Sequence, residues 1–170
     1  RKSCGAKTNP AGYGTWHDPP CFGLDRARLM FFPQPHPMTP AISIVMPLRD
    51  AAATLERALD SIISQTWPDW ELIAVDDGSM DPTPEILRAH AGRDPRVRLL
   101  ATPPRGIAAA LRTGCDASRG AWIARMDGDD RMHPGRLTEQ YGFAQRHPDL
   151  GVVSCLVWQT LGSWRRHVLD

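Results

Sequence analysis

The feature that most constrains the fold is an alternation that begins at residue 41, where short β-branched runs are followed by segments with helical periodicity. The predicted strands are 42–47, 71–76, 97–101, 121–126 and 151–157, and the predicted helices are 55–63, a segment from residue 81, 106–118 and 137–146. Strands that alternate with helices in this way join through right-handed crossovers. We therefore predict an α/β fold, with an open, mostly parallel sheet and helices on both faces.

Residues 1–40 differ from the rest of the chain. They hold seven of the 16 prolines and show no helical or strand periodicity, which is typical of disordered chain. A short apolar patch at residues 29–32 has the chemistry to dock on a folded part. We therefore expect a disordered or loosely docked segment at 1–40, a folded ligand-binding domain at 41–157, and a C-terminal tail of undefined structure at 158–170.

Charge, hydropathy and cysteine content exclude several classes of protein. Lys and Arg total 20 against 19 Asp and Glu, a formal net charge of +1, so the chain lacks the basic surface of a nucleic-acid-binding protein. No apolar run approaches the roughly 18 residues of a transmembrane segment, and the N-terminus lacks a secretory signal. Four cysteines without a CxxC pair indicate neither a disulfide scaffold nor a zinc site. We expect a cytoplasmic protein, with peripheral attachment to a membrane left open.

Acidic residues follow three of the predicted strands, at the point where each strand ends. Pro47-Leu48-Arg49-Asp50 follows the first strand, Asp76-Asp77-Gly78-Ser79 the second, and Asp127-Gly128-Asp129-Asp130 the fourth. In open parallel sheets, ligands bind beyond the carboxyl ends of the strands, where the strand order reverses. If the first strand lies between the second and the fourth, these three loops meet in one crevice.

Such a crevice would hold up to five carboxylates, which repel one another unless a cation neutralises them. A divalent cation that prefers oxygen ligands is the natural occupant. Mg²⁺ or Mn²⁺ usually takes one or two protein carboxylates and completes its shell with water and substrate phosphates. The sequence therefore predicts a divalent metal and a ligand that carries phosphate.

Other interpretations of these segments fail at particular positions. Neither GxGxxG nor GxxxxGK[ST] follows the first strand, which disfavours a dinucleotide oxidoreductase and a P-loop NTPase. The segment from Asp127 begins like an EF-hand loop, but Arg131 and Met132 occupy the next required positions. Ala74 stands where an aspartyl-phosphate phosphatase would need its first Asp. Ordinary turns and helix caps explain either acidic cluster alone, but explain two clusters at strand ends less well.

Together these segments resemble glycosyltransferase family 2, the inverting nucleotide-sugar transferases of GT-A fold, a Rossmann-like architecture. The resemblance covers roughly residues 41–157, and the ordered set is more specific than a lone DxD. It rests on four segments in this order: Ile42-Ser43-Ile44-Val45-Met46-Pro47, Ser61-Ile62-Ile63-Ser64-Gln65-Thr66-Trp67, Ile73-Ala74-Val75-Asp76-Asp77-Gly78-Ser79-Met80-Asp81 and Gly120-Ala121-Trp122-Ile123-Ala124-Arg125-Met126-Asp127-Gly128-Asp129-Asp130.

The resemblance implies two groups of donor-binding residues. Pro47, Asp76 and Asp77 would line the pocket for the nucleotide base and ribose, and Arg105 lies on the segment that leads toward the donor in relatives. The other group is the DxD, where Asp127 would face the ribose or the sugar. These residues would bind a nucleotide-diphospho-sugar, and we expect a UDP-sugar.

The resemblance also implies the metal and the reaction. Asp129 would ligate Mn²⁺ or Mg²⁺, which would bridge the diphosphate, with Asp130 beside it. The reaction would transfer the sugar, with inversion, to an acceptor hydroxyl on a saccharide or a lipid-linked molecule. Neither the donor sugar nor the acceptor is specified by these segments.

The catalytic base is not identified by the resemblance. In relatives it lies in an acidic motif well downstream of the DxD, followed by Gln/Arg-x-x-Arg-Trp, and the residues after Asp130 do not match that pattern. The resemblance thus covers the N-terminal, donor-binding half of the family, and the chain begins with Arg1, so we expect a fragment or a processed product. Two functions stay open: a transferase donor domain that is inactive alone, and a binding-only or non-functional remnant.

Two further residues have alternative interpretations. Arg112, in the predicted third helix, is equally explained as a partner for a diphosphate and as a solvated helix residue. His133, just after the DxD and before Pro134, is better explained as a structural or exposed loop residue than as a metal ligand.

Overall fold

The computed structural model describes residues 39–155 in full and the backbone of residues 157–161 and 164–168. The segment 1–40, predicted to be disordered, therefore lies outside the described residues except for its last two positions. The elements are β1 Ile42–Leu48, α1 Ala52–Ile63, β2 Trp70–Asp76, α2 Thr83–Ala91, β3 Val97–Ala101, α3 Ile107–Asp116, β4 Trp122–Arg125, α4 Arg136–Arg146, β5 Val157–Leu161 and β6 Trp164–Val168. The first eight alternate strand and helix, as the sequence predicts.

Strands β1 to β4 form one parallel sheet in the order β3-β2-β1-β4. β1 pairs with β2 over all of Ile42–Leu48, and with β4 over residues 42–45 only. The chain therefore moves outward from β1 through β2 to β3 and then returns to the other side of β1. The predicted α/β fold with a parallel sheet is confirmed, and the reversal of strand order lies between β1 and β4.

Alternate residues of the central strands face two different layers of helices. On one face Ile44 and Leu72 belong to the main core, together with the buried stripe of α1. On the other face Ile73 and Val75 pack with Ala110 of α3. Helices thus cover both faces of the sheet, as the fold prediction requires.

β1 extends one residue past its predicted end at Pro47. The C=O of Val45 accepts a hydrogen bond from the N–H of Met126, so Val45 faces β4. Pro47, two residues further on, faces the same side, at a level that β4 no longer reaches. Because no residue of β4 lies opposite Pro47, the lack of an N–H in proline costs no hydrogen bond between the strands. β1 therefore continues to Leu48, paired with β2.

At the amino end of the sheet, one buried carboxylate joins three strands. Glu71, 2% exposed in β2, accepts hydrogen bonds from Ser43 Oγ of β1 at 2.8 Å, from Arg98 Nη1 of β3 at 2.9 Å and from Arg119 Nη2 at 2.7 Å. The backbone N–H of Arg119 donates a further bond, at 2.9 Å. Burial would raise the pKa of Glu71, but the bonds from Arg119, Ser43 and Arg98 outweigh it and lower the pKa to about 2.

The predicted fifth strand, 151–157, is wrong in position and in pairing. Residues 152–155 have no regular structure, and β5 begins at Val157 and pairs antiparallel with β6. Val152 and Val153 carry strand propensity, but Val152 is 84% exposed and the C=O of Val153 accepts its hydrogen bond from Gln140 Nε2 of α4, at 3.4 Å. The tail 158–170, for which no structure is predicted, supplies most of this two-stranded ladder. No helix of the part described is long and apolar enough to cross a membrane.

Candidate functional site

Hydrogen bonds tie the three acidic loops together beyond the carboxyl ends of β1, β2 and β4. The N–H of Asp77 donates to the C=O of Leu48 at 2.8 Å, and the N–H of Asp50 donates to Ser79 Oγ at 2.9 Å. On the other side, Thr54 Oγ1 of α1 donates to the C=O of Gly128 at 2.9 Å. The loop after β1 and the first turn of α1 therefore connect the other two loops, which confirms that the three loops are neighbours.

Two backbone positions give this junction its shape. Asp50 has a φ of 49°, and its Oδ1 accepts the N–H of Met80 at 2.7 Å, which holds the β1 loop against the β2 loop. At Gly128 an added Cβ would overlap the side chain of Leu48. A larger residue at this position would therefore push the acids on either side of Gly128 away from the end of β1.

The β2 side of the site holds Pro47 and the acidic pair. Pro47 is buried within β1, opposite Val75. Asp76, 5% exposed at the end of β2, accepts the N–H of Ser79 through Oδ1 at 3.1 Å. Its Oδ2 accepts no hydrogen bond from the residues described, so this oxygen is available to a ligand.

Asp77 is engaged within the protein. It is 3% exposed, and its carboxylate accepts the backbone N–H groups of Arg105, at 2.8 Å, and of Gly106, at 2.7 Å. Thr102 Oγ1 donates a longer bond, at 3.4 Å. The hydrogen bond from the Arg105 backbone has the largest influence on the pKa of Asp77, which lies below its usual value.

The side chain of Arg105 is exposed, and it makes no hydrogen bond or ion pair with any described residue. It lines a cavity of about 300 Å³ together with Thr102, Arg112 and Thr113. Arg112 is largely exposed and lies 4.0 Å from Asp116 in an (i, i+4) ion pair, which favours the solvated interpretation of this residue.

On the β4 side, the first acid of the DxD is held by an arginine. Arg125, the last residue of β4, donates from Nη2 to both carboxylate oxygens of Asp127, at 3.1 and 3.0 Å, and from Nε at 3.2 Å. Both side chains are partly exposed. The bonds fix the direction of the Asp127 carboxylate while its charge is largely balanced.

The two remaining acids of the loop have no such partner. Asp129 and Asp130 are exposed, and no described residue forms a hydrogen bond or ion pair with the side chain of Asp129. Although exposed, the Asp130 carboxylate loses part of its hydration to neighbouring atoms of the loop, and this desolvation, then the charges of Asp129 and Asp127, raise the pKa of Asp130. A cation bound at this loop would relieve that repulsion.

The donor set fits a divalent ion that completes its shell with ligand oxygens. Residues 39–155 contain no group of three or more His, Cys, Asp or Glu side chains able to hold a metal by themselves. Mg²⁺ and Mn²⁺ need only one or two protein carboxylates when phosphates supply the rest. His133 Nδ1 accepts the N–H of Gly135 at 3.3 Å, which supports the structural interpretation of this loop residue.

A cavity of about 650 Å³ opens next to the acidic loop, between β4, α4 and residues 151–155. Its walls include Trp122, Ala124, Tyr141 and Val153, and its charged side is formed by Arg125, Asp127, Asp130 and Arg136. Asp127 and Asp130 thus border both the junction of the loops and an apolar space large enough for a ligand. No hydrogen bond among the described residues joins Asp76 or Asp77 to the acids of the DxD, which lie on the opposite side of the β1 loop.

The sequence patterns missed the two arginines around Asp127. Arg125 lies two residues before Asp127, and that spacing on extended chain places both side chains on one face, so it was a usable signal. Arg136, in α4, donates from Nη2 to the C=O of Arg125 at 3.3 Å. No local pattern announces that contact, because it depends on how α4 returns to the sheet.

The parallel sheet, its reversal of strand order and the DxD loop at that reversal define a GT-A-like glycosyltransferase domain. Comparison with known families agrees: the family described as Glycosyl transferase family 2 matches residues 43–169. The chain belongs to glycosyltransferase family 2.

Curated relatives match this chain over part of their own length. It is 34% identical over 134 residues to the uncharacterized glycosyltransferase EpsJ of Bacillus subtilis (strain 168), covering 77% of this chain and 38% of EpsJ. It is 36% identical over 95 residues to a hyaluronan synthase of Pasteurella multocida, covering 56% of this chain and 10% of the synthase. This chain therefore spans less than half the length of these relatives.

Solved structures share the fold. S. aureus TarS 1-349 in complex with UDP-GlcNAc superposes with a TM-score of 0.56 at 21% identity, over 63% of this chain and 32% of the TarS 1-349 chain. The mannosyltransferase PcManGT from Pyrobaculum calidifontis, in complex with GDP-Man and Mn²⁺, superposes with a TM-score of 0.52 at 31% identity. That match covers 59% of this chain and 30% of PcManGT.

Proposed function

We propose that residues 41–157 form the donor-binding domain of an inverting glycosyltransferase, which takes a nucleotide-diphospho-sugar together with Mn²⁺ or Mg²⁺. The observation that carries this proposal is the carboxylate of Asp129, which has no hydrogen-bond or ion-pair partner among the described residues and lies beside two further acids in the loop where strand order reverses. Support comes from PcManGT, which is 31% identical and was solved with GDP-Man and Mn²⁺. TarS, solved with UDP-GlcNAc, shares the fold.

The groups on the two sides of the loop after β1 bind different parts of the donor. Pro47, Asp76 and Asp77 with Arg105 form the side of the base and ribose, where Asp76 Oδ2 is available to a ligand. On the β4 side, the carboxylate of Asp127 faces the ribose or the sugar. Because the loop after β1 separates the two groups, one extended nucleotide-sugar would contact both.

Asp129 would hold the divalent ion, with Asp130 beside it. When bound, the ion stabilises negative charge on the nucleoside diphosphate that leaves. Arg125 fixes the direction of the Asp127 carboxylate. The loop therefore presents one oriented carboxylate, that of Asp127, and one without a partner in the described residues, that of Asp129. This division suits a site that must bind an organic hydroxyl and a metal side by side.

Transfer with inversion breaks the bond between the sugar C1 and the phosphate oxygen and forms a bond from C1 to the acceptor oxygen, whose proton goes to a base. Among residues 131–155 the carboxylates are Glu139, in α4, and Asp149, in the turn after it. Neither belongs to the acidic junction. Donor binding without transfer is therefore the second candidate function for this chain.

The donor and its setting are part of the proposal. We take a UDP-sugar as the donor, a saccharide or a lipid-linked molecule as the acceptor, and the cytoplasm as the compartment. The acceptor site is less defined than the donor site, since every residue assigned above is proposed to bind the donor or its metal.

Calorimetric titration with UDP and with GDP, each with Mn²⁺ and each with EDTA, tests the proposal. We expect one nucleotide to bind in Mn²⁺ and to lose nearly all affinity in EDTA. Equal binding in both buffers would reject the metal, and no binding of either nucleotide would reject the donor site. Release of UDP from a UDP-sugar in the presence of mixed acceptors then separates a transferase from a binding-only domain.

A further inference from the structure

The last two acids of the DxD loop lie on a short span of backbone with a buried residue at each end. Asp129 and Asp130 are exposed, whereas Gly128 before them and Met132 after them are buried. Three acids close together repel one another. The described residues offer the Asp129 side chain no hydrogen bond or ion pair that would oppose this repulsion. The position of its carboxylate is therefore set through the backbone.

Side chains of α1 hold this backbone at both ends. Thr54 Oγ1 donates to the C=O of Gly128 at 2.9 Å, and Ser61 Oγ accepts the N–H of Met132 at 3.0 Å. Thr54 and Ser61 stand seven residues apart in the sequence, which is nearly two turns of helix, so both face the loop. The span that carries the two exposed acids thus has one anchor on each side.

Gln65, just past the end of α1, reinforces the second anchor. Its side chain is 8% exposed, its Nε2 donates to the C=O of His133 at 2.8 Å, and its Oε1 accepts the N–H of Leu137 at 3.1 Å. Nε2 also donates to the C=O of Ser61 at 3.1 Å. The amide group therefore connects the end of α1 to the chain that leaves the DxD loop and enters α4.

We propose that Thr54, Ser61 and Gln65 are positioning residues for the divalent-metal site: they supply no ligand themselves and hold the backbone that carries Asp129. This inference rests on the proposed function. Each of the three bonds to main-chain groups of the loop or of the turn after it, and Ser61 and Gln65 are buried. Acids held in place before an ion binds need less ordering on binding, which favours affinity.

A neighbouring serine shows what the same side chain does without the loop. Ser64 is exposed, and its Oγ donates to the C=O of Ser61 at 3.1 Å, within the same helical segment. Ser61 Oγ makes the equivalent bond to the C=O of Ala58, at 2.7 Å, and accepts the N–H of Met132 as well. The contact with the loop is thus what distinguishes Ser61, and Ser64→Ala is a matched control for Ser61→Ala.

Calorimetric titration of the full chain with UDP in Mn²⁺, or with GDP if the parent binds GDP more tightly, gives the first test. Thr54→Val removes the donor to Gly128 at nearly constant volume, and Ser61→Ala removes the acceptor for Met132. Residues that orient metal ligands typically contribute roughly ten- to a hundredfold to affinity, so we expect each variant to lose about tenfold. Ser64→Ala should bind as the parent does. Parent-like affinity in both Thr54→Val and Ser61→Ala would overturn the inference.

Two readouts separate positioning from a general loss of structure. Thr54→Ser keeps the hydroxyl, so it should restore affinity to within about twofold of the parent. The Mn²⁺ EPR spectrum, recorded with protein and nucleotide in excess over Mn²⁺, should have broader lines in Thr54→Val, because the ion then meets a less uniform set of ligands. Thr54→Ser should give parent-like lines. A failed rescue, or weakened affinity with a parent-like spectrum in Thr54→Val, would reject the inference.

Hydrogen exchange tests the anchors without nucleotide or metal. In the parent the amide of Met132 should exchange slowly, because Met132 is buried and its N–H donates to Ser61 Oγ. In Ser61→Ala this amide should exchange faster while β1 and β2 stay protected, and Ser64→Ala should leave it unchanged. Gln65→Met should have the same effect on the amide of Leu137. Unchanged protection of Met132 in Ser61→Ala would show that this anchor does not hold the loop.

Failure of this inference can be told apart from failure of the proposed function. If the parent binds neither nucleotide in Mn²⁺, the donor site and the positioning role are both rejected. If the parent binds and the variants bind equally well, the donor site stands and only the positioning role is rejected. Thr54 is half-buried, so Thr54→Val and Thr54→Ser decide the matter even where Ser61→Ala does not fold.

Discussion

Glu71, at the amino end of the parallel sheet, and the acids of the loop after β4, at its carboxyl end, have opposite environments. At the amino end, Glu71 is buried and accepts bonds from two arginines, a serine and a backbone N–H, which lower its pKa to about 2. At the carboxyl end, Asp129 has no partner among the described residues, and the pKa of Asp130 is raised by burial and by its acidic neighbours. The same functional group thus stabilises the fold at one end and remains available to a ligand at the other.

The difference comes from where the positive donors are placed. Arg98 of β3 and Arg119, which precedes β4, both reach Glu71. At the other end Arg125 forms its ion pair with Asp127, although three acids lie close together in one short loop. An acidic cluster with too few donors is unfavourable unless something else supplies charge, whereas a fully bonded acid needs nothing more.

The largest effect we expect from this comparison is on stability at the amino end. Glu71→Gln removes the charge that Arg98 and Arg119 share and turns an acceptor oxygen into a donor, so the free energy of unfolding should fall by about 3 kcal/mol. Urea denaturation measures it. Glu85→Gln is the control, because Glu85 forms only an exposed pair with Arg88 and should cost less than about 0.5 kcal/mol. Similar small losses in both variants would mean that Glu71 is not a structural acid.

The contribution of Glu71 should also be visible in how the free energy of unfolding depends on pH. The pKa of Glu71 is lowered from 4.5 to about 2 on folding, so its contribution is complete above pH 4.5 and is lost as the pH falls toward 2. In that window the unfolded chain binds a proton that the folded protein does not. The parent should therefore lose stability more steeply than Glu71→Gln between pH 4.5 and 2. Parallel curves for the two proteins would contradict the assignment.

The opposite pattern should hold for the acid without a partner. Asp129→Asn should weaken Mn²⁺-dependent nucleotide binding about 30-fold, or about 2 kcal/mol, and leave the free energy of unfolding unchanged within about 0.5 kcal/mol. Calorimetry and urea denaturation on the same samples give both numbers. Asp60→Asn is the control and should change neither, because Asp60 is an exposed acid of α1 whose side chain makes no hydrogen bond or ion pair with the described residues. A large loss of stability in Asp129→Asn would erase the contrast between the two ends of the sheet.

Much of the fold was predictable because it depends on local patterns. The stripe of α1 was predicted from Leu55, Ala58, Leu59, Ile62 and Ile63; the first four are buried, whereas Ile63, at the end of the helix, is exposed. The convergence of the acidic loops followed from chain order alone, since parallel strands place all their carboxyl ends at one edge. The predicted strand at 151–157 failed because propensity identifies a strand-forming run but not whether it finds a partner: residues 152–155 form no strand, and pairing with β6 begins only at Val157.

The parts that were not predictable depend on contacts between distant residues. Glu71 is 27 to 48 residues from Arg98 and Arg119, so no window of sequence reveals that Glu71 is neutralised whereas Asp129 has no ion-pair partner among the described residues. The bonds of Asp77 were hidden for a similar reason. Asp77 stands beside Asp76 in one motif, and only the folded chain shows that the Asp77 carboxylate accepts the N–H of Arg105, whereas one oxygen of Asp76 accepts no hydrogen bond from the described residues.

The smallest expected effect tests the carboxyl end most directly. Because the folded pKa of Asp130 is raised above its unfolded value, its ionised form destabilises the folded state at neutral pH, and that penalty disappears once acid protonates both states. Asp130→Asn should therefore stabilise the protein by a few tenths of a kcal/mol at pH 7 and by nothing at pH 3. Asp149→Asn, in an exposed turn outside the loop, should show no such gain. Mn²⁺ should raise the melting temperature of the parent more than that of Asp130→Asn, since the ion relieves a repulsion that the variant no longer has. A loss of stability at pH 7 would show instead that Asp130 is bonded in the manner of Glu71, and that both ends of the sheet use their acids to hold the fold.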